Sequence, residues 1–114
     1  MANPHRGEVE ITLAGKTYVM RATFGAVVEI ETKTGTGLVD LAERTYSGKP
    51  RLTDLTAVVW AGLRAAGEPA TYEKVGEMVM DEGIQAAIGP VLEFLGQACT
   101  GGKTTGEAQA AEHA

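Results

Sequence analysis

A chain of 114 residues and 11.9 kDa has room for one domain with a modest core and little room for a second. Apolar residues make up 44% and charged residues 22%, the balance of a globular protein rather than a disordered or fibrous one. Ten lysines and arginines against fifteen acidic residues leave a net charge of −5, which argues against nucleic acid or an anionic membrane as the main partner.

The first predicted element is a β-hairpin. Glu8-Val9-Glu10-Ile11-Thr12-Leu13 alternates polar and apolar, and Thr17-Tyr18-Val19-Met20-Arg21-Ala22 continues the alternation. A two-residue turn centred on Gly15-Lys16 puts glycine where a type II′ turn needs positive φ. It sets Leu13 against Tyr18, Ile11 against Met20, Val9 against Ala22, and Glu10 against Arg21. A turn on Ala14-Gly15 keeps the same faces, but it loses the Glu10–Arg21 pair and forces Ala14 to positive φ, so the first register is the expectation.

Helices separated by glycines follow. Thr23 caps a helix from Phe24 to about Thr34, with Phe24, Val27, Val28 and Ile30 inward and Glu29, Glu31 and Lys33 outward. Gly35 stops it. A short helix over Leu38 to Tyr46 sets Leu38, Leu41 and Ala42 on one side. Thr53 is the expected cap of Asp54 to Ala66, whose stripe is Leu55, Val59 and Leu63, closed by Gly67. Thr71 caps Tyr72 to about Glu82. The last helix carries Ile84, Ala87, Ile88, Val91, Leu92, Leu95, Ala98 and Cys99 on one face, with a kink or restart expected at Gly89-Pro90. Residues 101–114 contain no Val, Ile, Leu, Met or aromatic side chain, so a disordered tail is expected there, after a flexible 1–7 and a single domain over 8–100.

Chemical motifs are weak. Gly101-Gly102-Lys103-Thr104 imitates the end of a phosphate-binding loop, but the glycine required five positions before Gly102 is Gln97. Thr34-Gly35-Thr36-Gly37 lacks a preceding strand and a third glycine, so it reads as a helix-to-helix turn. His5 and His113 lie near opposite ends, away from any metal-ligand spacing, and no cofactor is expected. Cys99, on an apolar stripe, reads as a buried and inert thiol that has no partner for an internal disulfide, as in a cytoplasmic protein. No apolar run approaches the roughly 20 residues of a membrane span. Trp60, on the flank of its helix stripe, reads first as packing at the core edge and second as an interface anchor.

The opening Met1-Ala2-Asn3-Pro4-His5-Arg6-Gly7-Glu8-Val9, the turn Leu13-Ala14-Gly15-Lys16-Thr17-Tyr18 and the junction Arg21-Ala22-Thr23-Phe24-Gly25-Ala26 resemble a small protein of gene transfer agents. Val59-Trp60-Ala61-Gly62-Leu63-Arg64-Ala65-Ala66-Gly67 and Val75-Gly76-Glu77-Met78 extend the likeness over about residues 1–100. These motifs are structural, and the family is similar to the tail assembly chaperones of long-tailed phages. The resemblance implies a cytoplasmic chaperone that binds the tape-measure protein and helps recruit tail-tube subunits. The family has also been described as a tail-tube component, which gives the alternative of a structural subunit of the tail tube or tail tip in the virion tail. It implies no catalytic, metal or cofactor residue.

The expected fold is therefore α+β: an N-terminal antiparallel hairpin packed on four to five short helices, then a disordered tail. The expected function is protein binding without catalysis. A small enzyme is the third reading, and a homo-oligomer is left open. The expected partner surface is Trp60 with Leu38, Leu41 and Tyr46; on that reading Trp60→Ala lowers partner capture and leaves the domain folded.

Overall fold

The computed structural model describes residues 2, 3 and 6–101. Expectations for His5, His113 and the tail beyond Gly101 lie outside these residues. Two antiparallel strands, β1 (Glu8–Leu13) and β2 (Lys16–Arg21), precede five helices: α1 (Phe24–Thr34), α2 (Leu38–Tyr46), α3 (Leu52–Ala65), α4 (Tyr72–Glu82) and α5 (Ile84–Thr100). The α+β class and the boundaries of α1, α2 and α4 are as the sequence predicts.

The hairpin register is the alternative one. Val9 pairs with Met20, Ile11 with Tyr18, Leu13 with Lys16 and Glu8 with Arg21. The turn is Ala14-Gly15, with φ of 53° and 76°, so both central residues are left-handed as a type I′ turn requires. Contacts outside and within the hairpin hold it there. The Ala14 N–H donates to Glu82 Oε1 of α4 at 2.6 Å, and the Lys16 ammonium lies 5.0 Å from the Tyr18 ring centre. The Thr12 and Thr17 hydroxyls pair at 3.1 Å. Glu10, freed from Arg21, accepts the Ala2 N–H at 3.1 Å.

The body is organised around α3. It packs against α1, β2, α4 and α5, and Asp54 to Val59 and Ala61 to Leu63 are all buried. Its sequence shows an amphipathic stripe, yet Ala57, Val58 and Ala61 lie in the core beside Leu55, Val59 and Leu63. A helix apolar on nearly every side belongs at the centre of its fold. Gly62 makes the tightest approach: a Cβ added there would stand 2.8 Å from both Met20 Cβ of β2 and Phe94 Cε2 of α5.

Three helix faces differ from expectation. In α1 only Ala26 and Ile30 are buried; Phe24 is 84% exposed and Val28 45% exposed, because the helix packs mainly on α3 and only lightly on α2. In α5 the fully buried aromatic is Phe94, with Ala87, Val91 and Leu95. Ile84 is exposed at the start of that helix and Cys99 near its end, so the reading of Cys99 as buried does not hold. Partial burial still pushes its thiol above the usual range. Helix α5 runs unbroken through Pro90, and no restart occurs at Gly89.

The start of α3 is also corrected. Its cap position is Arg51 rather than Thr53, and the Asp54 carboxylate accepts the Arg51 N–H at 3.1 Å. This is half of a capping box, with aspartate in the place of glutamate. The other expected caps form: Thr23 Oγ1 accepts from Ala26 at 3.0 Å and Thr71 Oγ1 from Lys74 at 3.1 Å.

Candidate functional site

The four residues expected to face a partner fall into different environments. Leu41 is fully buried in the core and offers no surface. Tyr46 is 71% exposed at the end of α2. Leu38 is half-buried at the start of α2 and lines a groove described below. Trp60 is half-buried, and its ring partners are none of these three. It meets Tyr72 edge-on, with ring centres 5.8 Å apart. The Lys33 ammonium lies 4.4 Å from the Tyr72 ring centre and 5.4 Å from that of Trp60, and the Arg64 guanidinium is 5.1 Å from Trp60. Two cations over two aromatic faces tie α1, α3 and α4 together.

Two carboxylates expected to be solvated have structural work. Glu29 pairs with Arg64 at 3.0 Å, and Glu31 Oε2 accepts the Leu38 N–H at 2.9 Å, capping α2 from α1. The sequence also left Asp54 unmarked. Its carboxylate is almost fully buried and takes Arg44 Nη1 and Arg51 Nη2 at 2.7 Å each. Arg51 Nη2 also donates to Thr34 O at 3.1 Å, so one buried acid joins the ends of α1, α2 and α3. Burial opposes its ionisation. The Arg51 side chain and backbone N–H, with Arg44, outweigh that and hold the carboxyl below its ordinary range.

An open groove of ≈ 500 Å³ lies between the open end of the hairpin, the first turns of α1 and α2, and the last turn of α5. Arg6, Arg21, Phe24, Val27, Leu38 and Gln97 shape it. Its lining among the described residues holds no carboxylate, imidazole or thiol, the usual general bases and nucleophiles. Neither arginine is in an ion pair among the described residues, although Arg21 Nε donates to Arg6 O at 3.4 Å. Gln97 Oε1 is buried there with no hydrogen-bond partner among the described residues. A second hollow, of ≈ 340 Å³, lies between β2, α4 and the turn before it, beside Tyr18, Leu63, Pro69 and Met78. Among the described residues no cluster of three His, Cys, Asp or Glu side chains suits a metal ion, and no helix is long and apolar enough to cross a membrane.

Among the described residues these surfaces carry exposed apolar side chains, arginines outside any ion pair and open grooves. The profile of the family described as phage tail tube protein, GTA-gp10, matches residues 6–112. The chain belongs to this family. The match spans the hairpin, all five helices and the groove. It supports the gene transfer agent and phage-tail resemblance carried by the sequence motifs, and its description names the tail tube. No curated protein and no solved structure matches the chain.

Proposed function

We propose that the protein is a non-enzymatic subunit of the tail tube of a phage-like gene transfer agent particle, located in the virion tail and in contact with other tail proteins. The single observation that carries this reading is the family match over nearly the whole chain. The surfaces support it, because an acidic body with localised apolar and basic patches acts by fitting other proteins.

A second reading is favoured by one feature. Phe24 of α1 and Val39 and Tyr46 of α2 are each more than 60% exposed and leave apolar side chains open to a partner. A tail assembly chaperone that covers helices of the tape-measure protein would use such a surface in the helix-in-groove manner. Leu38 and Tyr46 would take part, and Trp60 would hold the scaffold behind them.

Mass spectrometry of purified particles tests the choice. The tail-tube reading expects the protein in stoichiometric amount with other tail subunits. Absence from particles, with the tape-measure protein retained on the tagged chain in producing cells, would select the chaperone.

A further inference from the structure

Helix α5 delivers the chain to the groove. Its last turn forms one wall, and Gly101, with φ of 68°, caps the helix in the left-handed conformation and turns the backbone off the helix axis. The next residues therefore leave from the groove itself. They read Gly102-Lys103-Thr104-Thr105-Gly106-Glu107-Ala108-Gln109-Ala110-Ala111-Glu112, and the family profile continues through them to residue 112.

The groove lacks negative charge on one side and positive charge on the other. Elsewhere Arg44 and Arg51 pair with Asp54, Arg64 with Glu29, and Lys16 and Lys33 lie over aromatic rings. Arg6 and Arg21 instead face a lining without a carboxylate. Glu8, the cross-strand partner of Arg21, accepts the Asn3 N–H at 2.8 Å. Helix α1 opens onto the groove with no acidic residue in its first turn, and α5 ends there with no basic residue in its last, so neither helix dipole is compensated. The segment after Gly101 carries the missing charges in the right order: Lys103 beside the end of α5, then Glu107 and Glu112. Six residues separate Gly101 from Glu107, a reach of about 20 Å, which crosses a groove of this size.

We propose that residues 102–112 fold back over the groove as a built-in cover, with Glu107 and Glu112 facing Arg6 and Arg21 and with Ala108, Ala110 and Ala111 lying on Phe24, Val27 and Leu38. Charge complementarity and the exit point at Gly101 select this occupant. The segment has no large apolar side chain, so its hold is ionic and weak per contact. Attachment at Gly101 offsets that weakness, because a short link keeps the segment at roughly millimolar effective concentration beside its site. A cover of this strength excludes weak visitors and yields to a tight partner. The contact does not depend on where the protein sits in a particle, which is what particle composition tests.

Paramagnetic relaxation in the full chain reads the contact. A nitroxide is attached at position 111 of a Cys99→Ser/Ala111→Cys chain, and circular dichroism melting confirms that this chain and its variants fold like the parent. At low salt the label is expected to broaden the backbone amides of Phe24, Val27 and Leu38. Those of Met80 and Ile84, about 25 Å away along α5, stay sharp. Glu107→Lys/Glu112→Lys lowers the covered fraction about tenfold, as two attractions become repulsions, and adding Arg6→Glu/Arg21→Glu restores the broadening. Salt near 1 M, where the Debye length is about 3 Å, releases the segment. Groove amides that stay sharp, broadening that survives the two lysines, or a charge exchange that fails to restore it overturns the proposal. So does broadening of a nitrogen-15 chain by label carried on a separate chain, which would give the groove to a second copy. Groove amides that ignore the label yet shift with added poly-glutamate would give it to a foreign acidic partner, and that too overturns it.

Discussion

Replacing Gly62 by alanine puts a methyl carbon 2.8 Å from Met20 Cβ and 2.8 Å from Phe94 Cε2, against ordinary contacts of about 3.5–4 Å. Both neighbours are fully buried and belong to different elements, so relief requires β2 or α5 to move away from α3. Overpacking of this kind costs about 1–3 kcal/mol, and two simultaneous clashes argue for the upper end. Alanine regains about 1 kcal/mol of helix propensity, which leaves a net loss near 2 kcal/mol. Gly76→Ala is the matched control. It lies within α4, where the nearest atom to the new carbon is Thr56 Cγ2 at 3.5 Å, an ordinary contact. That variant should gain up to about 1 kcal/mol. The same chemical change therefore has opposite signs on two consecutive helices, and at about 4 °C per kcal/mol the melting temperatures should differ by roughly 10 °C. Urea and thermal unfolding followed by circular dichroism measure both. A Gly62→Ala protein as stable as its parent would refute the close-packing argument.

Three further outcomes follow from the polar groups. Asp54 has a depressed pKa in the folded state, so its stabilisation is present above the unfolded carboxylate value and is lost as pH falls through the lower folded one. Asp54→Asn should cost about 2 kcal/mol at neutral pH, and the gap between variant and parent should close in acid unfolding curves below about pH 4. Ala14→Asn should stabilise by about 0.5–1 kcal/mol in chemical denaturation, because asparagine tolerates the left-handed conformation that alanine is forced into. Gln97→Met should leave the fold unchanged and raise stability by about 1 kcal/mol, since it removes a buried acceptor that has no partner among the described residues; a loss on thermal melting would show that the amide is satisfied.

What the sequence made legible was local. The Thr23 and Thr71 caps, the left-handed Gly35 and the boundaries of three helices depend on a few adjacent residues, and all were readable from them. The errors arose where distant elements decide. The hairpin register depends on a carboxylate 68 residues away, Glu82, which favours a turn that local φ preferences disfavour. Phe94 was missed because the buried face of α5, Ala87, Val91, Phe94 and Leu95, is one stripe turned away from Ile84, Ile88, Leu92 and Cys99, which the sequence suggested as part of the face. A heptad reading of 87, 91 and 94 would have found it. The exposed Phe24 carries no signal in its own helix, because apolar periodicity marks where a core face can form and not whether a neighbour covers it. The groove was beyond reach for the same reason: it is assembled from four segments that the chain order keeps apart.

The wrapping of α3 sets how the molecule responds to load. With a neighbour on almost every side of that helix, no layer can peel away without opening the interior, so unfolding should be all-or-none and its central amides should exchange with deuterium only in that event. A building block of this kind meets its neighbours as a rigid piece. Any adjustment on assembly has to come from its rim.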